Sequence, residues 1–305
     1  MTRRPTRTAP ARVPYAFLSP AIVLFVVFMV VPIGYTVHLS LRRVKVSGLG
    51  LGAAARRESF AGLANYRAVL DDTEFWRSAL RVLIYGGLLV PTMLGLALLF
   101  ALLLDLPRAR ARRFSRIAIF LPYAVPAVIA SLMWGFIYLP SVGPGQWLLV
   151  RLGGDPVNLL GETSIYFSVA NIAVWGGTGF NMIVLYTALR AVPGEMYEAA
   201  RLDGATEAQI AWRIKIPMLT PALIMTFVFS LIATLQVFSE PTTLRPLTNA
   251  LPSNWTPLMK IYQDAFARDD IHSAAAASVV LALVTLLFSF GFLQLVQRRA
   301  FGSEQ

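Results

Sequence analysis

Long apolar stretches separated by polar connections are the dominant pattern along the chain. Six stretches come close to the ~20 residues that an α-helix needs to cross a bilayer, and their interiors carry almost no charge. Buried helices of soluble proteins also give apolar runs, but six runs of this length favour membrane spans. The pattern therefore predicts an all-α, polytopic membrane protein with six transmembrane helices at approximately Tyr15–Leu39, Ala79–Leu104, Ile117–Leu139, Ile165–Leu189, Leu219–Phe238 and Ala274–Leu295.

The polar connection between the fourth and fifth spans has strong local signals for structure. Pro193 favours the first turn of a short helix, and Gly204 follows its last apolar residue, where a left-handed backbone ends a helix. Thr206 and Gln209 have the spacing of a capping box for a second short helix, and Pro217 marks the return to an apolar span. These signals predict a helix–turn–helix at the membrane surface, which is more typical of a docking surface than of a passive linker.

Composition and charge narrow the class of protein further. The chain has 305 residues, of which 56% are hydrophobic, and its net charge is +11. A basic chain often binds nucleic acid, but here the arginines flank apolar spans, as in membrane proteins that set their topology by charge. We therefore expect no nucleic-acid partner. The chain has no cysteine, which excludes disulfides and thiolate metal sites, and His38 and His272 lack the spacing of metal ligands.

Six spans place both termini on one side of the membrane, together with the connection between spans four and five. The N-terminal tail and the connection after span two are rich in arginine, which favours the cytoplasm for this side. The long connection after span one is also basic, but it mixes basic with acidic residues. The difference in basic charge between the two sides of the membrane is therefore modest. The predicted organisation is a cytoplasmic tail at 1–14, a first span and external loop at 15–78, a core of five spans at 79–297 and a cytoplasmic tail at 298–305.

The polar connection also resembles the EAA loop of permease subunits from ATP-binding-cassette (ABC) importers. That motif has Glu-Ala-Ala, a glycine after three more residues, then nine residues and Ile-x-Leu-Pro. Ile216 here replaces the usual leucine. The residues that match are Glu198, Ala199, Ala200, Gly204, Ile214 and Pro217. Before the second span, the segments Phe60–Tyr66 and Phe75-Trp76 are similar to a stretch of carbohydrate-type permeases, and their aromatic residues also fit an interfacial belt.

The resemblance extends over nearly the whole chain and points to the first of the two permease subunits in maltose-type and glycerol-phosphate-type importers. It implies the type I ABC importer permease fold in a bacterial cytoplasmic membrane, surrounded by lipid. It also implies a second homologous permease, two ATPase subunits and an extracytoplasmic solute-binding protein as partners. By the same resemblance, the loop at 190–218 docks on an ATPase through Glu198, Ala199, Ala200, Asp203, Gly204, Ile214 and Pro217.

A path for solute needs polar or aromatic groups inside the spans, where such groups are costly and therefore often functional. By comparison with the family, Trp175, Phe180 and Gln236 align near positions that line a sugar site. Aromatic faces suit sugar rings, and amides suit their hydroxyls. Helix packing by small and polar residues is the alternative. The predicted substrate path, for a sugar or related small polar solute, consists of Trp175, Phe180, Asn181, Gln236 and Glu240.

No catalytic constellation is visible in the sequence. It lacks the Gly-x-x-x-x-Gly-Lys-Ser/Thr phosphate loop, so we expect neither ATP hydrolysis nor a cofactor in this chain. The resemblance assigns ATP and Mg²⁺ to the partner ATPases. An importer of a non-sugar solute fits the same motifs. An ion-coupled secondary transporter is a further alternative, although it usually needs a mid-span ionisable residue or a broken helix, and no carboxylate lies mid-span.

Overall fold

The computed structural model describes residues 12–46 and 56–301. Residues 1–11 of the predicted N-terminal tail and residues 302–305 of the predicted C-terminal tail lie outside these ranges. The described chain is mostly helical and forms two compact units. One unit holds the described residues before Asp72 together with Asp264–Val280, and the other holds the rest.

The first unit contains the N-terminal span. Its apolar side chains are largely exposed, as Phe17 and Phe28 illustrate, so this helix presents a lipid-compatible surface. The elements in chain order are α1 (Arg12–Phe25), a π-helical turn (Val26–Val30), α2 (Val31–Ser40), β1 (Arg42–Val46), β2 (Arg56–Phe60), α3 (Ala64–Asp71), a π-helical segment that follows later in the chain (Gln263–Ala267), and the beginning of α15 (Ile271–Phe301).

A short antiparallel strand pair departs from the all-α prediction. In β1 and β2, Arg42 pairs with Phe60 and Val46 pairs with Arg56. The strands are short and highly charged, so they lack the apolar alternation that predicts a strand. The Asn65 side chain ties this pair to α2, because its amide nitrogen donates to the carbonyl oxygens of Ser40 at 2.8 Å and of Arg42 at 2.6 Å.

The second unit contains the helices that follow Asp72, whose carboxylate caps α4 by accepting from the Glu74 amide at 2.8 Å. Its elements are α4 (Thr73–Asp105), α5 (Arg112–Phe120), a 3₁₀ turn (Leu121–Ala124), α6 (Ala127–Tyr138), α7 (Pro144–Arg151), α8 (Ile165–Arg190), α9 (Glu195–Leu202), α10 (Glu207–Ile210), a π-helical turn (Ala211–Lys215), α11 (Ile216–Met218), α12 (Thr220–Leu235), α13 (Ser239–Leu244), a 3₁₀ turn (Arg245–Leu247), α14 (Pro257–Tyr262) and the later part of α15.

Within residues 12–46 and 56–301, four helices are individually long and apolar enough to cross a membrane, at Phe17–Ser40, Thr73–Asp105, Ile165–Arg190 and Ile271–Gln294. Two further candidates are bent pairs rather than straight spans. One pair joins Arg112–Ala124 to Ala127–Tyr138 with a bend of 96°, and the other joins Glu207–Met218 to Thr220–Leu235 with a bend of 65°. The described chain therefore has up to six spans, in agreement with the predicted number.

The bend in the third predicted span has a local cause. Pro126 lacks a backbone N–H, and a proline disfavours helical geometry in the residue before it. Val125 accordingly has an extended backbone (ψ 125°), and Pro126 itself adopts ψ 136° before α6 begins. The sequence predicted a single span at Ile117–Leu139, and the helix is interrupted inside that range.

The pairing of α4 with α8 is the most extensive helix contact in the second unit. Their facing residues form two apolar clusters, one around Tyr85 and Val169 and one around Ala97 and Met182. Gly179 permits close packing of α8 on α5, because a Cβ there would collide with the Ile119 carbonyl oxygen and lie 2.7 Å from the Phe120 Cα atom.

Candidate functional site

The polar connection after α8 forms the predicted helix–turn–helix. Helix α9 ends in a Schellman motif, with Gly204 at φ 81° and the Ala205 amide donating to the Ala200 carbonyl at 2.9 Å. Thr206 and Gln209 form the predicted capping box at the start of α10: the Thr206 amide donates to Gln209 Oε1 at 2.8 Å, and the Gln209 amide donates to Thr206 Oγ1 at 3.3 Å. The predicted glycine end of the first helix and the predicted capping box of the second are confirmed, whereas Pro193 precedes the N-cap Gly194 and lies outside the first turn of α9.

The loop presents a mixed surface to solvent. Five of the predicted coupling residues are exposed, namely Glu198, Ala199, Asp203, Gly204 and Pro217. The most exposed large apolar side chains of this loop were not predicted, Leu202 at 89% and Trp212 at 73%, and Met196 and Met218 are also exposed. An exposed leucine and tryptophan among small and acidic residues are typical of a docking surface. In the sequence, both residues could have been recognised as large apolar residues within a largely polar connection.

The other two predicted coupling residues are half-buried. Ala200 lies within α9, and Ile214 lies where the loop returns to a span, shortly before the exposed Pro217 of α11. A salt bridge within the loop joins Arg201 Nε to Glu207 Oε1 at 2.8 Å. The hydrogen bond from Arg201 lowers the pKa of the Glu207 carboxyl from its usual value. This pair holds the end of α9 against the start of α10.

A buried ion pair anchors the loop to the end of α4. Lys215 Nζ lies 2.6 Å from Asp105 Oδ2, and the two side chains are 2% and 7% exposed. The Lys215 ammonium also lies 4.9 Å from the centre of the Tyr197 ring in α9. Burial, followed by the charge of Asp105, raises the pKa of the Tyr197 hydroxyl. Neither Lys215 nor Asp105 was among the predicted site residues.

A cavity of about 660 Å³ lies among the spans of the second unit. Its wall is formed by α4, α6, α8, α12 and α13, together with the bend between α5 and α6. Apolar residues supply most of its surface, and a few polar groups are grouped near α8 and the end of α12. The polar residues that line it are Asn181, Ser230, Thr234, Gln236, Ser239 and Glu240. Such a concave, largely apolar wall with a few polar groups is typical of a site for a small molecule.

Four of the five predicted substrate-path residues line this cavity. Phe180 stacks on Tyr123 with ring centres 5.0 Å apart, and the two rings form an aromatic surface. The Asn181 amide nitrogen donates to the Gly177 carbonyl at 3.0 Å. Gln236 is exposed at the C-cap of α12, and Glu240 is in the first turn of α13.

Trp175, the fifth predicted residue, is not among the residues that line the cavity. Its ring packs edge-to-face on Trp134 at 5.9 Å, beside the apolar cluster of the second unit. Sequence alone could not determine which side of α8 faces the cavity, because apolar residues occur on every side of α8 and its rotation is set by packing against α4. Tyr123, which was not predicted, supplies the second aromatic ring from the bend between α5 and α6.

Within the described ranges, no group of three or more histidine, aspartate or glutamate residues has the arrangement of a metal site. The site features are a cavity among apolar helices and a capped helical loop. This arrangement is typical of a subunit that transports solute across a membrane.

Comparison with known sequences establishes the family. Residues 73–302 match the family described as "Binding-protein-dependent transport system inner membrane component", and this chain belongs to that family. The match begins at the first residue of α4 and includes the cavity and the helical loop.

Curated relatives extend the similarity to almost the full chain. The sn-glycerol-3-phosphate transport system permease protein UgpA of Agrobacterium fabrum is 30% identical over 94% of this chain and 95% of its own length. The trehalose/maltose transport system permease protein MalF of Thermococcus litoralis is 30% identical over 93% of each chain. Among solved structures, a chain of a bacterial alginate ABC transporter in complex with an alginate-bound periplasmic protein has a TM-score of 0.80 at 22% identity, covering 94% of this chain and 95% of its own. This last similarity shows a shared fold, the type I ABC importer permease fold.

Proposed function

We propose that this chain forms one half of the translocation path for a saccharide in an ATP-driven importer. The cavity is the observation that carries the proposal, because it combines a stacked aromatic surface with amide, hydroxyl and carboxylate groups. Sugars have apolar ring faces and hydrogen-bonding hydroxyls, and both kinds of surface find a counterpart in this wall. The relative named for trehalose and maltose transport supports the same class of solute.

The helical loop at 190–218 is the proposed contact with an ATPase. Glu198 and Ala199 are exposed on α9 beside the apolar side chain of Leu202, and a short helix of this kind fits into a groove on a partner. The buried pair between Lys215 and Asp105 connects this loop to α4, which lines the cavity. Movement of the ATPase would thereby reach the solute path and bias the permease between two conformations.

The complete transporter would contain a second homologous permease, two ATPase subunits and an extracytoplasmic binding protein. In this arrangement ATP and Mg²⁺ belong to the ATPases, and this chain carries out no chemistry of its own. Both of its termini and the helical loop would face the cytoplasm, in keeping with the arginines after span two.

Reconstitution tests this function directly. The chain would be purified with the permease, ATPase and binding protein that are encoded beside it and placed in proteoliposomes. We expect radiolabelled maltose or trehalose to accumulate only when both ATP and the binding protein are supplied. Accumulation driven by a proton or sodium gradient without ATP would instead identify an ion-coupled transporter and contradict the proposal.

A further inference from the structure

The charge of the cavity wall is strongly one-sided. Of the described residues that line the cavity, none is lysine, arginine or histidine, and Glu240 is the charged residue among them. Glu240 is half-buried in the first turn of α13. The nearest polar neighbours in sequence that share the wall are Gln236 and Ser239, which are both uncharged. The chain is strongly basic overall, with a net charge of +11, so the acidic character of the cavity is not a consequence of composition.

An anionic solute would be poorly accommodated by this wall. A phosphate or carboxylate that leaves water needs a cation or several donors to compensate its lost hydration. Here it would meet the carboxylate of Glu240, and like charges repel more strongly in a partly dehydrated cavity than in water. A uronate or a phosphorylated polyol is therefore disfavoured by this half of the path.

Neutral and basic saccharides can interact favourably with the wall. A sugar hydroxyl can donate to the Glu240 carboxylate, and such charge-assisted hydrogen bonds are stronger than neutral ones. An ammonium group on an amino sugar would gain both a hydrogen bond and charge attraction. The sugar ring can at the same time lie against the stacked rings of Tyr123 and Phe180.

We infer that this half of the path selects uncharged and basic saccharides over solutes that carry a phosphate or carboxylate, and that Glu240 determines this selectivity. The inference rests on the proposed saccharide path and adds its charge preference. The preference separates two kinds of solute that a permease of this family could receive, a neutral sugar and an acidic one.

Solute binding to the assembled permease–ATPase complex tests the inference. The binding protein is left out, so that its own site does not contribute. Affinities for maltose, glucosamine and glycerol 3-phosphate are measured by saturation-transfer NMR. We expect maltose and glucosamine to bind and glycerol 3-phosphate to bind at least tenfold more weakly. Glycerol 3-phosphate binding as tightly as maltose would overturn the inference while leaving the proposed transport function intact.

The variant Glu240→Gln isolates the role of the charge, because it preserves the size of the side chain. We expect maltose binding to weaken about fivefold, which is the difference between a charge-assisted and a neutral hydrogen bond, and glucosamine binding to weaken more. Glu162→Gln is the matched control, since Glu162 is exposed outside the cavity. Copurification of the ATPase with Glu240→Gln confirms assembly. Unchanged affinities for both sugars in assembled Glu240→Gln would refute the role of Glu240.

The two proposals fail in different ways. If ATP-driven uptake into proteoliposomes occurs only for acidic solutes, the transport function stands and the charge preference is wrong. If neither maltose nor glucosamine binds and no saccharide is taken up, the saccharide path itself is wrong and the charge preference falls with it.

Discussion

The ammonium group of Lys215 lies 2.6 Å from a carboxylate oxygen of Asp105, and both side chains are almost fully buried. The pair joins the end of the helical loop to the end of α4. Removing one partner from a buried pair leaves an uncompensated charge, which typically costs about 3–5 kcal/mol, whereas replacing both by apolar residues is often tolerated. The pair is therefore the most sensitive structural contact of the loop.

We predict that Lys215→Met strongly destabilises the chain and that Lys215→Met combined with Asp105→Leu recovers much of the loss. The measurement is the temperature at which the detergent-solubilised complex loses its monodisperse elution profile. Lys45→Met serves as the control, because Lys45 is exposed in β1. Equal stability of the single variant and the parent would show that the pair does not hold the loop.

Close packing at Gly179 gives a second prediction. An added Cβ would meet the backbone of Ile119 and Phe120, which cannot move aside as a side chain does. Gly179→Ala should therefore destabilise the chain by roughly 1–3 kcal/mol, as overpacking in a close-packed core does. Gly95→Ala in α4 is the matched control, since no atom lies within 4 Å of an added Cβ there. If heating curves of the two variants coincide, the contact between α8 and α5 is looser than described.

The orientation of the chain is a third prediction. Thr163 lies in the connection before α8 and Arg113 lies in α5, and both are exposed. The chain has no cysteine of its own, so Thr163→Cys and Arg113→Cys each provide a single thiol. A membrane-impermeant thiol reagent is added to cells whose outer envelope is permeable and whose cytoplasmic membrane is intact. It should label position 163 and leave position 113 unlabelled. Labelling of position 113 alone would show that the orientation in the membrane is the reverse of the predicted one.

The fourth prediction concerns the cavity. Phe180→Ala and Gln236→Ala should each reduce ATP-driven saccharide uptake, because each removes a stacking face or a hydrogen bond that contributes on the order of 1 kcal/mol. Assembly with the ATPase should persist in both variants. Trp175→Ala should instead lower thermal stability through its lost contact with Trp134. Uptake at the parental rate in both cavity variants would show that these side chains serve packing alone.

Local sequence signals predicted the helical loop well. Gly204 ends α9 and the pair of Thr206 and Gln209 begins α10, because these residues act on backbone atoms only a few positions away. The number of spans was also predictable from the sequence, because the length of each apolar stretch depends only on residues that are close together in the chain. These features require no knowledge of which helices are neighbours.

Features that depend on contacts between distant segments were missed. The pair of Asp105 and Lys215 joins residues far apart in the chain, and no local pattern indicates their approach. The position of Trp175 depends on the rotation of α8, and the sequence does not define this rotation because apolar residues occur on every side of the helix. The β1–β2 pair depends in part on the side chain of Asn65, which bonds the backbone at Ser40 and Arg42.

The helical loop carries the fifth prediction. Gly204 has φ 81°, and an added Cβ would meet nothing within 4 Å, so a substitution there acts through the backbone alone. Gly204→Val should distort the loop, because a β-branched residue strongly disfavours this conformation. Gly204→Asn should be tolerated, because asparagine adopts a left-handed backbone more readily. Glu198→Lys reverses the charge offered to the ATPase, and an acid introduced at a facing basic residue of the ATPase should restore docking.

The coupling ratio tests the central claim most directly. It is the amount of saccharide taken up per ATP hydrolysed in proteoliposomes that contain the complete transporter with its binding protein. The proposed role of the loop predicts that the ratio falls several-fold in Gly204→Val and Glu198→Lys and stays near the parental value in Gly204→Asn. A parental ratio in both Gly204→Val and Glu198→Lys, with normal copurification of the ATPase, would contradict the claim that this loop connects ATP hydrolysis to the solute path.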